Sequence, residues 1–404
     1  MVLLTNFPSV NAIVMQSYRI FAVYFVFYIV AWIEFCSAAL VIRVSKISGG
    51  DRTSCRVSDA TSPCKTIKFA LGALEETKNH NETIFTFSIE DKVYTLKERV
   101  SITQTSALRN IYLRSNDSRS RSVVHCGSRF AGIEVGAVGA SDIYARNTRN
   151  VHFVNLEFQN CGSPRFAAVV LIWNSINVDF TNCVFRHNTQ AAINSFDSAV
   201  AIDTCLFSNN TSNLQNSSEQ YRRGVNSAGG GAGFLFRDSA NLTVVVKNSV
   251  FDSNAAVTNN SNDFIAPSSN VTHFSSCGGG LLVVFSNKAE NCQALIDNTV
   301  FKKNTATYGG GLYLANTNLA VRNSFMVTNS NFTGNQAGQT GGGALFSQWD
   351  KASKITTIYR KCIFSENESQ RGAGMNVFLM NYDVTPNDSI LRLVVVVLRL
   401  SLCV

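Results

Sequence analysis

Three aspartates are the side chains of this sequence with the greatest capacity for chemistry: Asp179, Asp203 and Asp297. Hydrolysis of a glycosidic bond requires two carboxyl groups at a defined separation. Eliminative cleavage of a polysaccharide would instead need an acidic cluster that binds calcium, together with an arginine base. Whether these aspartates can act together depends on whether the strands that contain them bring their carboxyl groups close to one another.

The histidines and cysteines do not form a metal-binding pattern. No Cys-x-x-Cys pair and no Cys/His cluster with zinc spacing occurs in the sequence. His152 and His187 are single polar residues near the ends of predicted strands, and we expect both to lie on the surface. The sequence therefore predicts no metal and no cofactor.

The cysteines are typical of an exported protein with disulfides. Without Cys36 and Cys403, which lie near the two ends, nine of the eleven cysteines remain. We expect Cys55 and Cys64 to pair, because only eight residues separate them. An odd number leaves at least one thiol unpaired, paired with Cys403, or paired outside the chain.

An export signal is predicted at the start of the chain. The apolar run at 20–33 follows Arg19 and precedes Cys36-Ser37-Ala38, where small residues suit signal cleavage. A membrane-spanning helix needs about 20 apolar residues, and this run is shorter. We expect residues 1–38 to be a signal peptide; an uncleaved membrane anchor is the alternative, and Met15 is an alternative initiator.

Eleven Asn-x-Ser/Thr sequons agree with export, although several are expected by chance in a chain so rich in Asn, Ser and Thr. Five of them lie in the polar stretches 209–230 and 255–277, which we expect to form glycosylated loops between coils. The candidate glycosylation sites are Asn81, Asn116, Asn209, Asn210, Asn216, Asn241, Asn259, Asn270, Asn331, Asn367 and Asn387.

Seven segments share one pattern and each ends in a phenylalanine. Their spacing indicates a repeat of 22–32 residues, with two gaps of about twice that length. Five positions before the phenylalanine stands a large apolar residue, and the next position is mostly polar, which is typical of a strand with one buried face. The closing residues are Phe158, Phe185, Phe207, Phe251, Phe301, Phe332 and Phe364.

An asparagine within five of these segments predicts a bend. The apolar residue and the phenylalanine are an odd number of positions apart, so a straight strand would put them on opposite faces. Asn tolerates the left-handed conformation, and a bend there would turn both side chains inward. Equal coils would then stack Asn on Asn and Phe on Phe, as in a parallel solenoid.

The same alignment separates the three aspartates. Asp203 and Asp297 fall in one outward column, several coils apart, and the aligned residues of other coils are Lys247, Thr328 and Arg360. A column of mixed charge is typical of a solvated face. The aspartates are therefore not expected to form a catalytic pair.

Glycine triplets recur at 229–231, 278–280, 309–311 and 341–343, with a degenerate copy at 372–374. None has the strand, helix and charged partner of a phosphate-binding loop. We expect tight corners where only Gly can take positive φ or lie close to the adjacent coil.

The Phe-x-x-Asn and Gly-Gly-x-Leu/Ala elements resemble the repeats of chlamydial polymorphic outer-membrane proteins. Similar repeats occur in eukaryotic surface proteins of the pectin-lyase-like superfamily. The resemblance covers residues 150–378. It implies a right-handed, single-stranded parallel β-helix, which is an all-β fold, and it implies adhesion or surface display as the function.

Residues 49–74 resemble the start of many secreted β-helices, where a Gly-Asp turn and a Pro-x-Lys-Thr-Ile element precede a capping helix. Ile67, Ala70, Leu71 and Leu74 recur at helical spacing and would cover the core of the first coil. We therefore expect an N-terminal capping helix.

The chain is divided into four parts on these grounds. The last part, a hydrophobic tail, is either a final strand or the mark of an incomplete C-terminus. The parts are a signal peptide at 1–38, the N-terminal cap and first coils at 39–100, the parallel β-helix at 101–390 and the tail at 391–404.

A binding or scaffolding function is favoured over catalysis. The polygalacturonase motifs Asn-Thr-Asp, Asp-Asp, His-Gly and Arg-Ile-Lys are all missing. The basic stretch 109–121 lacks interleaved aromatic residues, so no nucleic-acid partner is expected. We predict an extracellular or cell-surface scaffold that binds a glycan or protein ligand, with membrane association through an uncleaved N-terminus or a missing C-terminal region. A polysaccharide lyase or glycoside hydrolase of the same fold is the alternative.

Overall fold

The computed structural model describes residues 39–56, 62–76, 84–103, 110–126, 132–136, 148–162, 168–213, 229–257 and 276–380. Within these ranges the chain winds as a right-handed, single-stranded parallel β-helix, which confirms the predicted fold class. Strands of successive coils pair in parallel, and the right hand is the one that parallel crossovers strongly prefer. From Val200 onward each coil passes through four sheets in turn, here called sheets 1 to 4, whereas the described strands of earlier coils belong to sheets 1, 2 and 4 only.

Sheets 1 and 2 follow each other across the first corner of the coil. Among the described residues, the strands of sheet 1 are Ala39–Val44, Ile84–Ile89, Asn110–Ser115, Thr148–Val154, Ser175–Thr181, Val200–Asp203, Thr243–Lys247, Gln293–Asp297, Ser324–Thr328 and Thr356–Arg360. Those of sheet 2 are Val93–Leu96, Ser122–Cys126, Leu156–Gln159, Val184–Arg186, Leu206–Ser208, Val250–Asp252, Val300–Lys302, Asn331–Thr333 and Ile363–Ser365.

Sheets 3 and 4 complete the coil. In the described ranges, the strands of sheet 3 are Thr211–Asn213, Ala255–Val257, Thr305–Tyr308, Gln336–Thr340 and Glu368–Arg371. Those of sheet 4 are Arg99–Ile102, Gly132–Val135, Ala168–Trp173, Ala191–Phe196, Ala232–Phe236, Leu281–Phe285, Leu312–Asn316, Ala344–Trp349 and Met375–Met380.

The corner between sheets 1 and 2 is made by one residue in the left-handed conformation. Asn182, Asn248 and Asn298 have φ values of 52°, 49° and 46°, a region that Asn enters more readily than most residues. Thr204 and Lys361 take the same conformation in two coils, with φ values of 55° and 54°. This is the predicted bend, and the apolar side chains on both sides of it are buried.

The closing phenylalanines stack in one column through the interior. Their rings lie within 10° of parallel, and successive centroids are 4.9, 5.1, 4.5, 5.1, 4.8 and 4.6 Å apart. These separations follow the spacing of neighbouring strands, about 4.8 Å. The column contains Phe158, Phe185, Phe207, Phe251, Phe301, Phe332 and Phe364, and all seven are buried.

A column of buried asparagines lies at the corner between sheets 2 and 3. Asn304 shows the pattern: its Nδ2 donates to Oδ1 of Asn335 and to the carbonyl oxygen of Phe251, both at 2.9 Å. Its backbone N–H also donates to Oδ1 of Asn335, at 3.0 Å. Each side chain therefore ties its own coil to both neighbours. The inner asparagine ladder consists of Asn188, Asn210, Asn254, Asn304, Asn335 and Asn367.

The glycine triplets form the corner between sheets 3 and 4. The N–H groups of Gly279 and Gly310 donate to the carbonyl oxygens of Gly309 and Gly341, at 3.1 and 3.0 Å. A Cβ atom on Gly279 would lie 2.3 Å from the carbonyl oxygen of Gly310. A larger residue would therefore force the backbones of adjacent coils apart.

The predicted capping helix is not present as one helix. Two short helices of five and four residues, Ile67–Leu71 and Ala73–Glu76, stand in its place. The first begins at the N-cap Thr66 and ends at the C-cap Gly72, whose N–H bonds back to the last turn. Gly72 has φ −58° and ψ −22°, so the break between the two helices does not come from a left-handed glycine.

Two disulfides lie within the described residues. One joins Cys55 to Cys64, and the other joins Cys126 to Cys161 of the following coil, with a Cα–Cα separation of 4.8 Å. The remaining described cysteines are buried; they are Cys183, Cys205, Cys277, Cys292 and Cys362.

Several predicted segments fall outside the described residues. These are the signal peptide at 1–38, the tail at 391–404 and most of the polar stretches 209–230 and 255–277. They stay predictions. Across the part of the chain that the structure describes, no helix is long and apolar enough to cross a membrane.

The inner asparagine ladder predicts a large cost for Asn304→Ala. The substitution leaves the backbone N–H and Nδ2 of Asn254 without their Oδ1 acceptor and removes the donor to Phe251. We expect a loss of about 3–5 kcal/mol in the free energy of unfolding, because several buried polar groups lose their partners. Urea denaturation followed by tryptophan fluorescence measures it.

The neighbouring Thr305 is exposed and provides the control. We expect Thr305→Ala to change the free energy of unfolding by less than about 0.5 kcal/mol. Equal denaturation midpoints for the two variants would show that the ladder does not stabilise the coil stack.

Candidate binding site

Sheet 3 and the outer face of sheet 4 enclose a cleft near the C-terminal end of the described β-helix. The glycine corner turns the chain from one sheet into the other, so that three successive coils contribute side chains to a single cavity of about 300 Å³. The lining residues are Tyr308, Tyr313, Gln339, Thr340, Leu345, Ser347, Trp349, Gln370, Arg371, Asn376 and Phe378.

The sheet 3 wall of the cleft changes chemistry from one coil to the next. Tyr308, Thr340 and Arg371 are in register in three consecutive strands. The Tyr308 hydroxyl donates to Oε1 of Gln339 at 2.7 Å, which holds this exposed amide over the cleft. The wall therefore presents an aromatic ring, a hydroxyl group, an amide and a guanidinium group along about 10 Å of the helix axis.

The sheet 4 floor of the cleft is aromatic. Tyr313 and Ser347 share a hydrogen bond of 2.8 Å between their hydroxyl groups. The rings of Trp349 and Phe378 lie 4.7 Å apart and are tilted by 43°. Phe378 is 38% exposed, so one face of this aromatic pair is open to a ligand.

Arg371 is the only charged residue among the described residues that line the cleft. Burial raises the pKa of Tyr308 to about 12, and it also raises the pKa of Tyr313, so both hydroxyl groups stay protonated near neutral pH. No Asp or Glu belongs to the described lining. The cleft offers hydrogen-bond donors, acceptors and aromatic faces, but no carboxyl group that could act as an acid or a base.

The predicted outward column on sheet 1 separates the aspartates. Asp203 and Asp297 stand two coils apart with Lys247 between them, and Thr328 and Arg360 continue the column. Oδ1 of Asp297 accepts hydrogen bonds from Thr328 (2.6 Å) and from the next residue, an asparagine (2.7 Å). These hydrogen bonds lower the pKa of Asp297.

Asp179 lies in a different column and contacts a histidine. Its Oδ1 bonds to Nδ1 of His152, and the His152 ring stacks on Tyr112 with a centroid separation of 4.4 Å. Nε2 of His152 is buried and has no hydrogen-bond partner among the described residues. His187 is exposed at the corner between sheets 2 and 3.

The described ranges contain no group of three or more His, Cys, Asp or Glu side chains that could hold a metal ion. The arrangement of the charged residues on sheet 1 is one of hydrogen bonds and ion pairs between neighbouring coils. Sheet 2 shows the same kind of contact between neighbouring coils, with Nζ of Lys302 3.0 Å from Oδ2 of Asp252.

At two of the candidate glycosylation sites the side chain belongs to the inner asparagine ladder, which argues against a glycan there. Asn210 and Asn367 are 0% and 7% exposed, and their Nδ2 atoms donate to the carbonyl oxygens of Phe185 and Phe332. A glycan on either Nδ2 is incompatible with stacked coils.

Of the other sequons, one asparagine is half-buried, three are exposed and five lie outside the described residues. Asn331 is half-buried on sheet 2, and its Oδ1 accepts a hydrogen bond from Thr333 of the same sequon at 3.0 Å. The exposed sites are Asn116, Asn209 and Asn241. The sites outside the described residues are Asn81, Asn216, Asn259, Asn270 and Asn387.

The cleft was not predicted from the sequence. Its residues fall between the repeated elements: Tyr308 precedes one glycine triplet, whereas Trp349 ends one strand of sheet 4 and Phe378 lies within the next.

Comparisons with known proteins give fold-level likenesses only. No protein-family model and no curated protein matches the sequence. Among solved structures, a glycoside hydrolase is 9% identical with a TM-score of 0.41, and the alignment covers 84% of this chain and 96% of that one.

Two further solved structures are a lyase and an adhesin. Pectate lyase Pel9A is 9% identical with a TM-score of 0.35, over 84% of this chain and 78% of that one. PfbA, a surface adhesin of Streptococcus pneumoniae, is 12% identical with a TM-score of 0.30, and the alignment covers 85% of this chain and 92% of that one. At these values the likenesses do not bear on the ligand or activity of this chain.

The adjacent sequons at Asn209 and Asn210 allow a matched prediction for a protein secreted by a eukaryotic host. We expect glycan occupancy at the exposed Asn209 and none at Asn210 or Asn367. Enzymatic release of the glycans in heavy-oxygen water, followed by peptide mass spectrometry, identifies the occupied asparagines. A glycan on Asn210 in the folded, secreted protein would contradict the ladder.

The same pair can be compared by substitution. Asn210→Asp buries a carboxylate and removes both Nδ2 hydrogen bonds, so we expect it to lower the thermal midpoint strongly. Asn209→Asp removes the exposed sequon at a position where Asp also tolerates positive φ, and we expect little change.

Proposed function

We propose that this protein is a non-catalytic, extracellular or cell-surface β-helix that binds a glycan through the cleft between sheets 3 and 4. The observation that carries the proposal is the lining of that cleft. Aromatic rings, two glutamines, an asparagine and one arginine converge there without any carboxyl group in the described lining.

The physical match is to the surface of a sugar. A pyranose ring has an apolar C–H face and a rim of hydroxyl groups, so it is bound best by an aromatic face combined with planar amide and guanidinium groups. Trp349 and Phe378 supply the aromatic surface, and Gln339, Asn376 and Arg371 supply the polar groups. A cavity of about 300 Å³ is at the lower end of the range for small-ligand sites.

The same lining supports binding over cleavage. Hydrolysis of a glycosidic bond needs a carboxylic acid and a carboxylate at a defined separation. The nearest aligned carboxylate on sheet 3, Glu368, lies in a separate groove and bonds to Gln336 at 3.3 Å. A ligand in the cleft would therefore be held and not converted.

Extracellular or surface placement is the second part of the proposal. Two disulfides, exposed sequons and the predicted signal peptide support it. The resemblance of the Phe-x-x-Asn repeats to surface proteins favours adhesion as the biological role. A membrane tether at an uncleaved N-terminus belongs to the same proposal.

A polysaccharide-cleaving activity is the second candidate, and the His152–Asp179 pair favours it. Asp179 would hold the imidazole through Nδ1, and Nε2 could accept a proton only after the side chains that bury it move aside. This site would act on the outer face of sheet 1, away from the cleft. Release of reducing ends or unsaturated sugars from a glycan panel, lost in His152→Ala, would establish it in place of the binding function.

The binding proposal is tested by screening the secreted protein on a glycan array and measuring the strongest hit by calorimetry. We expect Gln339→Ala to weaken that glycan about tenfold, because one amide contact is worth about 1.4 kcal/mol. Gln339 is exposed, so its loss leaves the fold intact.

Gln336→Ala is the matched control. Gln336 is exposed on the same strand but lines the separate groove with Glu368. We expect the Gln336→Ala variant to bind the same glycan with the affinity of the unmodified protein. A protein that binds no glycan on the array, or a Gln339→Ala variant with unchanged affinity, would refute the cleft as a glycan site.

A further inference from the structure

One column of small side chains lies directly after the corner between sheets 1 and 2. Each member follows the residue that takes the left-handed conformation, and each thiol or hydroxyl group contacts the carbonyl oxygen two residues before it. The members in successive coils are Cys183, Cys205, Ser249, Thr299, Ser330 and Cys362.

In this column the hydroxyl group of a serine or threonine makes the same contact with the backbone as the thiol of a cysteine. The backbone N–H of Cys205 donates to Oγ of Ser249 at 3.1 Å, and the N–H of Thr299 donates to Oγ of Ser330 at 3.2 Å. A hydroxyl group therefore satisfies the neighbouring coil without sulfur. Cys183 and Cys205 differ from the rest only because two thiols occupy adjacent coils.

The two cysteines lie side by side in adjacent coils, and both are free thiols in the structure. The backbone N–H of Cys183 lies 3.4 Å from Sγ of Cys205, and the two side chains contact each other. The flanking strands are in register, with Thr181 opposite Asp203 and Val184 opposite the residue after Cys205. Adjacent coils also carry the Cys126–Cys161 disulfide, so the coil spacing suits such a bond.

We propose that Cys183 and Cys205 form a disulfide that links two consecutive coils of the mature protein. In balanced form, the two thiols react with one oxidised glutathione molecule, or with an equivalent disulfide of an oxidoreductase. The products are the Cys183–Cys205 disulfide and two reduced glutathione molecules. The sulfur atoms lose two electrons, which the glutathione disulfide accepts together with the two thiol protons.

The burial of both thiols determines at which stage of folding this disulfide can form. Cys183 is fully buried, and Cys205 is 2% exposed. Burial and the neighbouring Cys183 raise the pKa of the Cys205 thiol, which suppresses the thiolate that must attack a disulfide. The bond must therefore form while the coils assemble, and the folded reduced protein resists oxidation.

The test is peptide mapping of the full chain refolded with oxidised and reduced glutathione. Trypsin cuts at Arg165, Arg186 and Arg222, which places Cys183 in peptide 166–186 and Cys205 in peptide 187–222. Without reductant, we expect these peptides to appear joined, with a mass about 2 Da below their sum. Chain folded fully under reducing conditions and only then exposed to oxidised glutathione should give the separate peptides.

Cys362 provides the internal control, because its column neighbour in the preceding coil is Ser330. We expect Cys362 to be alkylated after denaturation in both preparations. The proposal is overturned if Cys183 and Cys205 are both alkylated in the oxidatively refolded protein, or if either is joined mainly to another cysteine.

Serine substitutions distinguish a covalent bond from simple packing. Cys183→Ser and Cys205→Ser each keep a hydrogen-bonding side chain of the kind that stands at Ser249 and Ser330. We expect both single variants and the double variant to share one lowered thermal midpoint under oxidising conditions and to match the unmodified protein under reducing conditions. Equal midpoints of all four proteins under oxidising conditions would contradict the bond.

Discussion

The hydrogen bonds of the inner asparagine ladder are the interaction on which the rest of this structure depends. At each step an Oδ1 atom accepts both the backbone N–H and the Nδ2 of the preceding coil's asparagine, as Asn304 does for Asn254. A side chain that is buried and saturated in this way cannot shift by one residue without leaving several polar groups unpaired. Hydrophobic stacking of the phenylalanines supplies driving force, but parallel rings alone would tolerate more slippage.

The cleft depends on that register. Its wall and floor come from different sheets, and each coil contributes to both, so a slip between two coils would separate Tyr308 from Gln339 and Tyr313 from Ser347. The glycine corner is the second requirement, because only bare backbone lets adjacent coils approach there. The polar and aromatic groups of the cleft thus occupy positions that the repeat leaves unconstrained, whereas the repeated residues hold the coils together.

The sequence predicts the scaffold well because its constraints recur in many successive coils. The phenylalanines, the left-handed corner and the glycine triplets were visible as periodic positions. The cleft was not visible in this way, because Trp349 and Arg371 do not lie at periodic positions. In addition, the cleft forms only where sheet 3 and sheet 4 face each other, which is a tertiary feature. A local pattern can also have two meanings: the ladder residues Asn210 and Asn367 are followed by Thr-Ser and Glu-Ser, so the same asparagines complete sequons. The prediction of one capping helix was wrong, because the chain forms two short helices that meet at Gly72.

Amide hydrogen exchange at the corner between sheets 2 and 3 tests the central claim most directly. Corners of a protein usually exchange quickly, but the backbone N–H groups of Asn254, Asn304 and Asn335 donate to buried Oδ1 atoms at 3.0, 3.0 and 2.9 Å. We predict that these three amides exchange as slowly as those in the central strands of sheet 1. Exchange at the rate of exposed turns would show that the ladder does not hold the coils in register.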